Sequence, residues 1–100
     1  MKDHRIGTKY KIICMRSLEV SAEVRKQFGI RVRRLRKKAN ISQTEFAAML
    51  GADRAYLYEI ERGDRNITIN TICRIAENLG VHPYVLLIPE EAVYYLLERF

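Results

Sequence analysis

Arg54, Ala55, Tyr58 and Glu59 fall inside the short stretch Asp53 to Arg62, at spacings that gather them on one side of a helix. They offer a forked guanidinium donor, a small apolar contact, a phenol and a carboxylate acceptor. None of them pairs a nucleophile with a base, so the set suits recognition of a hydrogen-bonding surface better than bond making. Leu57 and Ile60 occupy the other side and should turn inward. In the wider segment Ser42 to Arg62, SQTEFAAMLGADRAYLYEIER, two short helices are hinged on Gly51. That arrangement can lay one helix in the groove of a nucleic acid.

The elements around this segment must hold it. From Ser21, a candidate N-cap with Glu23 near the positive helix end, the residues Val24, Phe28, Val32 and Leu35 recur at helical intervals. This first helix should stop at Asn40, which tolerates the left-handed conformation. Ser42-Gln43-Thr44-Glu45 is a capping box that starts the second helix, running to about Leu50 with Phe46, Ala47 and Leu50 buried. Asp53 caps the third helix and Gly63 ends it. Thr68 caps a fourth with Ile69, Ile72, Ile75, Ala76 and Leu79 as its apolar stripe, Cys73 packing beside the stripe and Gly80 closing it. His82-Pro83 opens a short fifth helix, with His82 in a capping or surface role. Pro89, Glu90 and Glu91 start one more, in which Val93, Leu96, Leu97 and Phe100 recur every three or four residues.

Composition sets the limits. A chain of 100 residues, 48% hydrophobic and 30% charged, has room for a single small core. Apolar runs such as Tyr84 to Ile88 are far short of the roughly 20 residues of a membrane span, and no secretory leader is evident, so a cytoplasmic location with no membrane contact is expected. Cys14 and Cys73 show no CxxC or HxxxH spacing, and His4, Cys14, Cys73 and His82 are scattered, so neither a disulfide nor a metal is assigned. No cofactor is implied, and no catalytic constellation supports an enzyme. The charge is segregated: residues 1–40 hold thirteen Lys or Arg against three acids, a net +10, and residues 41–100 hold five against nine, a net −4, which makes up the overall +6. A one-sided basic surface attracts polyanions by counterion release, although the run Arg31, Arg33, Arg34, Arg36, Lys37, Lys38 taken alone reads better as a solvated helix face.

Five segments together, FGIRVRRLR, ISQTEFA, the Gly51 turn, YLYEIERG and RNITINTICRIAENLGV, resemble the phage-repressor-like helix-turn-helix regulators of the Cro and repressor type, the XRE family. The likeness runs from about Phe28 to Leu87. Within that family, DRAYLYEIERGDRNITI is most similar to the controller proteins of restriction-modification systems. The resemblance implies an all-α fold, a five-helix bundle over 21–88; the N-terminal extension over 1–20 and the extra C-terminal helix over 89–100 depart from the family's pattern. The resemblance also implies roles that residue chemistry supports. Arg54 would read bases by donating two parallel bonds to guanine O6 and N7, Ala55 would approach a thymine methyl, Tyr58 would contact a base edge or the sugar-phosphate wall, and Glu59 would accept from cytosine N4. Gln43, Arg65 and Asn66 would contact the DNA backbone, and Tyr56 would either join them or pack beside the second helix. Arg36 and Glu61 would form a structural ion pair fixing the reading helix to its support.

The expected function is therefore sequence-specific regulation of transcription through double-stranded DNA. A palindromic operator would be bound by a homodimer, because one helix covers only a few base pairs. The stripe Val93, Leu96, Leu97 and Phe100 would serve as dimer contact or close the monomer core. For the basic N-terminal arm, minor-groove insertion, disorder and strand pairing all remain open. The competing reading is an antitoxin or accessory subunit whose terminal segments bind a partner protein while DNA binding serves autoregulation.

Overall fold

The computed structural model describes residues 17–88, and every regular element among them is helical. We label them α1 (Ser17–Lys38), α2 (Gln43–Met49), α3 (Arg54–Arg62) and α4 (Ile69–Leu79), followed by a 3-10 turn, Pro83–Leu86. The all-α class expected from sequence is found, with four α-helices and a 3-10 turn in place of five helices. The fifth element is too short for α-helical bonding: Val85 N–H donates to the His82 carbonyl at 2.9 Å and Leu87 N–H to that of Tyr84 at 3.1 Å, both three residues back. The strand-or-arm segment around Tyr10 to Met15 and the C-terminal helix lie outside the described residues.

Local sequence accounts for the helix ends. Asn40 takes φ +63° and stops the chain leaving α1. Ser42 Oγ accepts from the Glu45 N–H at 3.0 Å while the Glu45 carboxylate accepts from the Ser42 N–H at 2.9 Å, the reciprocal box read from sequence. Asp53 and Thr68 cap α3 and α4 by accepting from the N–H groups of Tyr56 and Thr71, without the reciprocal half of the box. Ser21, by contrast, is not a cap. It lies exposed inside α1, because Leu18 to Ser21 all tolerate helical geometry and nothing in them forces a start.

The core gathers Phe28 and Val32 from α1, Phe46, Ala47 and Leu50 from α2, Leu57 and Ile60 from α3, Ile72, Ile75 and Ala76 from α4, and Leu86 from the 3-10 turn. Two members of the apolar stripes miss it. α3 ends against Arg25 and Lys26 of α1, so Val24 lies beyond the crossing and is 43% exposed. Ile69 opens α4 one turn ahead of Ile72 and is 69% exposed. Cys73 is an exposed free thiol rather than a packing residue.

α1 and α3 touch backbone to backbone. A Cβ on Gly29 would stand 2.5 Å from the carbonyl oxygens of Ile60 and Glu61, closer than real atoms approach. A glycine inside a helix costs about 1 kcal/mol relative to alanine, which the close crossing offsets. Gly63 needs its φ of +82° to end α3, and a Cβ there would also meet the Lys26 Cα at 2.8 Å. Arg31 does not belong to a solvated face either. It is buried, donating to the Val85 carbonyl and, at 3.0 Å, to that of Ile88, so α1 is tied to the 3-10 turn. Arg74 ties α4 to the end of α2 by donating to the Leu50 carbonyl at 2.5 Å.

Candidate nucleic-acid interface

Leu57, Ile60 and Glu61 face inward along α3, which leaves an outward stripe at four-residue steps, Arg54, Tyr58 and Arg62, with Ala55 beside it. Asp53 accepts from the Tyr56 N–H at 2.9 Å and so sets where the stripe begins. Arg54, Ala55 and Arg62 are exposed, as is Tyr58 at 47%. Alongside lies an open hollow of about 740 Å³ between α1, α2 and α3, whose walls include Arg33, Lys37, Gln43, Arg54, Tyr58 and Arg62. Beyond the mutually paired Arg36 and Glu61, the concavity holds four cationic side chains and one phenol, which suits a polyanionic ridge.

One buried fork fixes the stripe to α1. Arg36 Nε donates to Glu61 Oε2 at 2.7 Å and Arg36 Nη2 to Glu61 Oε1 at 3.0 Å, while Nη1 donates to the Ile41 carbonyl at 2.7 Å. Their side chains are 6% and 3% exposed. Gln43, half-buried at the start of α2, donates to Glu61 Oε1 at 2.9 Å. Its amide nitrogen keeps a second N–H for another acceptor. α1, α2 and α3 therefore converge on one carboxylate.

On the other edge of α3 the expected readers and backbone contacts meet one another. Arg65 Nε donates to Glu59 Oε1 at 2.8 Å, and the Arg65 guanidinium lies 4.7 Å from the centre of the Tyr56 ring. Tyr56 is half-buried against the core, and Asn66 is exposed in the loop that follows. On the stripe itself, Arg62 donates to the Tyr58 hydroxyl at 3.4 Å and pairs with Asp64 at 3.0 Å. The Tyr58 hydroxyl first, and then Asp64, raise the Arg62 pKa above its ordinary value. The carboxylates at 59, 61 and 64 each carry an arginine, which limits their repulsion of an approaching anion.

Sequence reasoning missed Arg33, Lys37 and Arg62. Arg62 was accessible as the next four-residue step after Arg54 and Tyr58. Arg33 and Lys37 share a face of α1 at the same spacing, but that this face borders the hollow depends on the crossing angle at Gly29. Val93, Leu96, Leu97 and Phe100 lie outside the described residues. Among the described residues no cluster of three metal-ligating groups occurs and no helix is long and apolar enough to cross a membrane.

Residues 32–86 match the helix-turn-helix family model. The control protein C.BamHI of Bacillus amyloliquefaciens is 42% identical over 65 residues, covering 64% of this chain and 80% of that protein. Among solved structures, the restriction-modification controller protein C.AhdI from Aeromonas hydrophila superposes with a TM-score of 0.58 at 38% identity, covering 61% of this chain and 92% of its own. SinR, a master regulator for biofilm formation solved in complex with DNA, superposes with a TM-score of 0.57 at 31% identity, covering 61% of this chain and 98% of its own. With α2 and α3 set by a capping box, a glycine turn and a buried ion pair, the chain belongs to the helix-turn-helix family of DNA-binding transcriptional regulators.

Proposed function

We propose that this regulator binds a palindromic operator as a homodimer, with α3 in the major groove, and controls restriction-modification genes, a role suggested by its likeness to the restriction-modification controller protein C.AhdI. The observation that carries the reading is the exposed stripe Arg54, Tyr58 and Arg62 beside a hollow walled by Arg33 and Lys37. In this reading Arg54, Ala55, Tyr58 and Glu59 face base edges, with Arg54 the principal reader. Glu59 reaches a cytosine amine only while Arg65 shares its carboxylate. Gln43, Tyr56, Arg65 and Asn66 contact the backbone, joined by Arg33 and Lys37 across the hollow. Residues 21–88 form the DNA-binding unit, and Val93, Leu96, Leu97 and Phe100 supply the dimer contact. The protein works in the cytoplasm, where its DNA is.

The test is footprinting on the DNA upstream of its own gene with wild type and Arg54→Ala. Two protected patches related by symmetry and centred about 34 Å apart are expected. Arg54→Ala should weaken operator binding by about 1–3 kcal/mol while the thermal melt stays unchanged. A wild-type protein that protects no discrete site would end the reading. Sedimentation of Leu97→Glu addresses the dimer: a folded dimer persisting at micromolar concentration would remove the C-terminal stripe from the interface.

A further inference from the structure

Tyr58 and Arg62 are linked to each other across one turn of the outward stripe. Arg62 Nη1 donates to the Tyr58 hydroxyl at 3.4 Å, and the guanidinium carbon lies 5.7 Å from the centre of the ring. Asp64 Oδ2 holds Arg62 Nε at 3.0 Å. Asp64 is itself anchored, because its N–H donates to the Glu59 carbonyl at 2.9 Å and so closes the end of α3. The pair stands in water, its side chains 59% and 53% exposed, and such pairs contribute little to folding. What it does contribute is orientation on the face turned outward.

We propose that Asp64, Arg62 and Tyr58 form one recognition unit, in which Asp64 is a positioning residue that aims Arg62, and Arg62 aims the Tyr58 hydroxyl proton at an acceptor on duplex DNA. The proposal rests on the reading of α3 as the DNA-reading helix. A phenol has one hydrogen to donate and two lone pairs, whereas a guanidinium can only donate. With Arg62 on a lone pair, the Tyr58 hydrogen turns away from Arg62 and is left for another acceptor. Guanine O6 and N7 and thymine O4 are the major-groove acceptors that carry sequence, so this unit adds discrimination as well as affinity.

Asp64 makes the idea testable, since a carboxylate on a face that meets phosphates would repel every duplex alike unless it also positions something. Removing a bystander acid would raise affinity for all sequences equally. Removing a positioning acid raises affinity for non-cognate DNA and lowers it for the operator. The experiment is an anisotropy titration of the full-length protein against the footprinted operator and a scrambled duplex of equal length and composition, at one fixed salt concentration. For Asp64→Ala the ratio of operator to scrambled affinity should fall about tenfold. Tyr58→Phe, which keeps the ring and loses only the hydroxyl, should lower the ratio comparably, and the double variant should fall little further than either single one. A ratio for Asp64→Ala within about twofold of wild type, or fully additive effects in the double variant, overturns the proposal. Matched circular-dichroism melts separate these outcomes from misfolding. Wild type showing no preference for any duplex would instead sink the reading of α3 itself, a result distinct from an unchanged ratio in a protein that discriminates.

Discussion

On the inward edge of α3, Arg36 and Glu61 meet through two parallel bonds of 2.7 and 3.0 Å with almost no access to water; on its outward side, Arg62–Asp64 and Arg65–Glu59 meet at 3.0 and 2.8 Å with each side chain about half exposed. The same two chemical groups therefore serve different ends according to their surroundings. Away from water a guanidinium depends on its partner, because leaving either charge alone is costly. In water the pair is nearly neutral for folding and free to act as a guide for whatever lies next to it. Burial turns the first pair into a joint between helices. Exposure leaves the other two as attachments to a surface.

Breaking the buried joint should have the largest effect. Glu61→Ala leaves Arg36 buried and Gln43 without its acceptor, and should cost about 3–5 kcal/mol in urea denaturation while lowering DNA affinity in the same protein. An unchanged thermal midpoint would refute the contrast at its root. Gly29→Ala comes next: the added methyl meets two carbonyl oxygens of α3, so α1 and α3 must separate, at a cost of about 1–3 kcal/mol measured the same way. That variant sharpens the comparison by disturbing the joint without touching a charge. Glu59→Gln should have the smallest effect, at most about 1 kcal/mol of stability, read from the same melts. A larger loss would mean that the outward pairs also hold the fold together.

How much of this could be read from the chain follows from the range of each interaction. The capping box at Ser42 and Glu45, the left-handed Asn40 and the caps at Asp53 and Thr68 depend on a few neighbouring residues, and each sits in the structure where the pattern put it. The inward positions Leu57 and Ile60 likewise follow from helical period alone. Val24 and Ile69 show where period fails, since a stripe says which side of a helix is apolar but not how far along it a partner extends. Arg31 fails for the opposite reason. Within a basic run it looks solvated, and only the return of the chain at Val85 and Ile88 gives it carbonyls to meet. The candidate face divides in the same way: the outward position of Arg54, Ala55 and Tyr58 follows from spacing, whereas the place of Arg33 and Lys37 beside the hollow depends on a crossing between residues far apart in sequence.

Arg36 reaches α3 and the Ile41 carbonyl from α1, while Gln43 brings α2 to the same carboxylate. Held from both neighbouring helices, α3 would as the proposed reader meet its target as a finished shape with little slack to give. In an encounter of that kind the double helix would be the softer body and would do the bending. Base pairs that no side chain reaches then enter the affinity through their stiffness, so operators differing only at such steps should be told apart by how readily they deform.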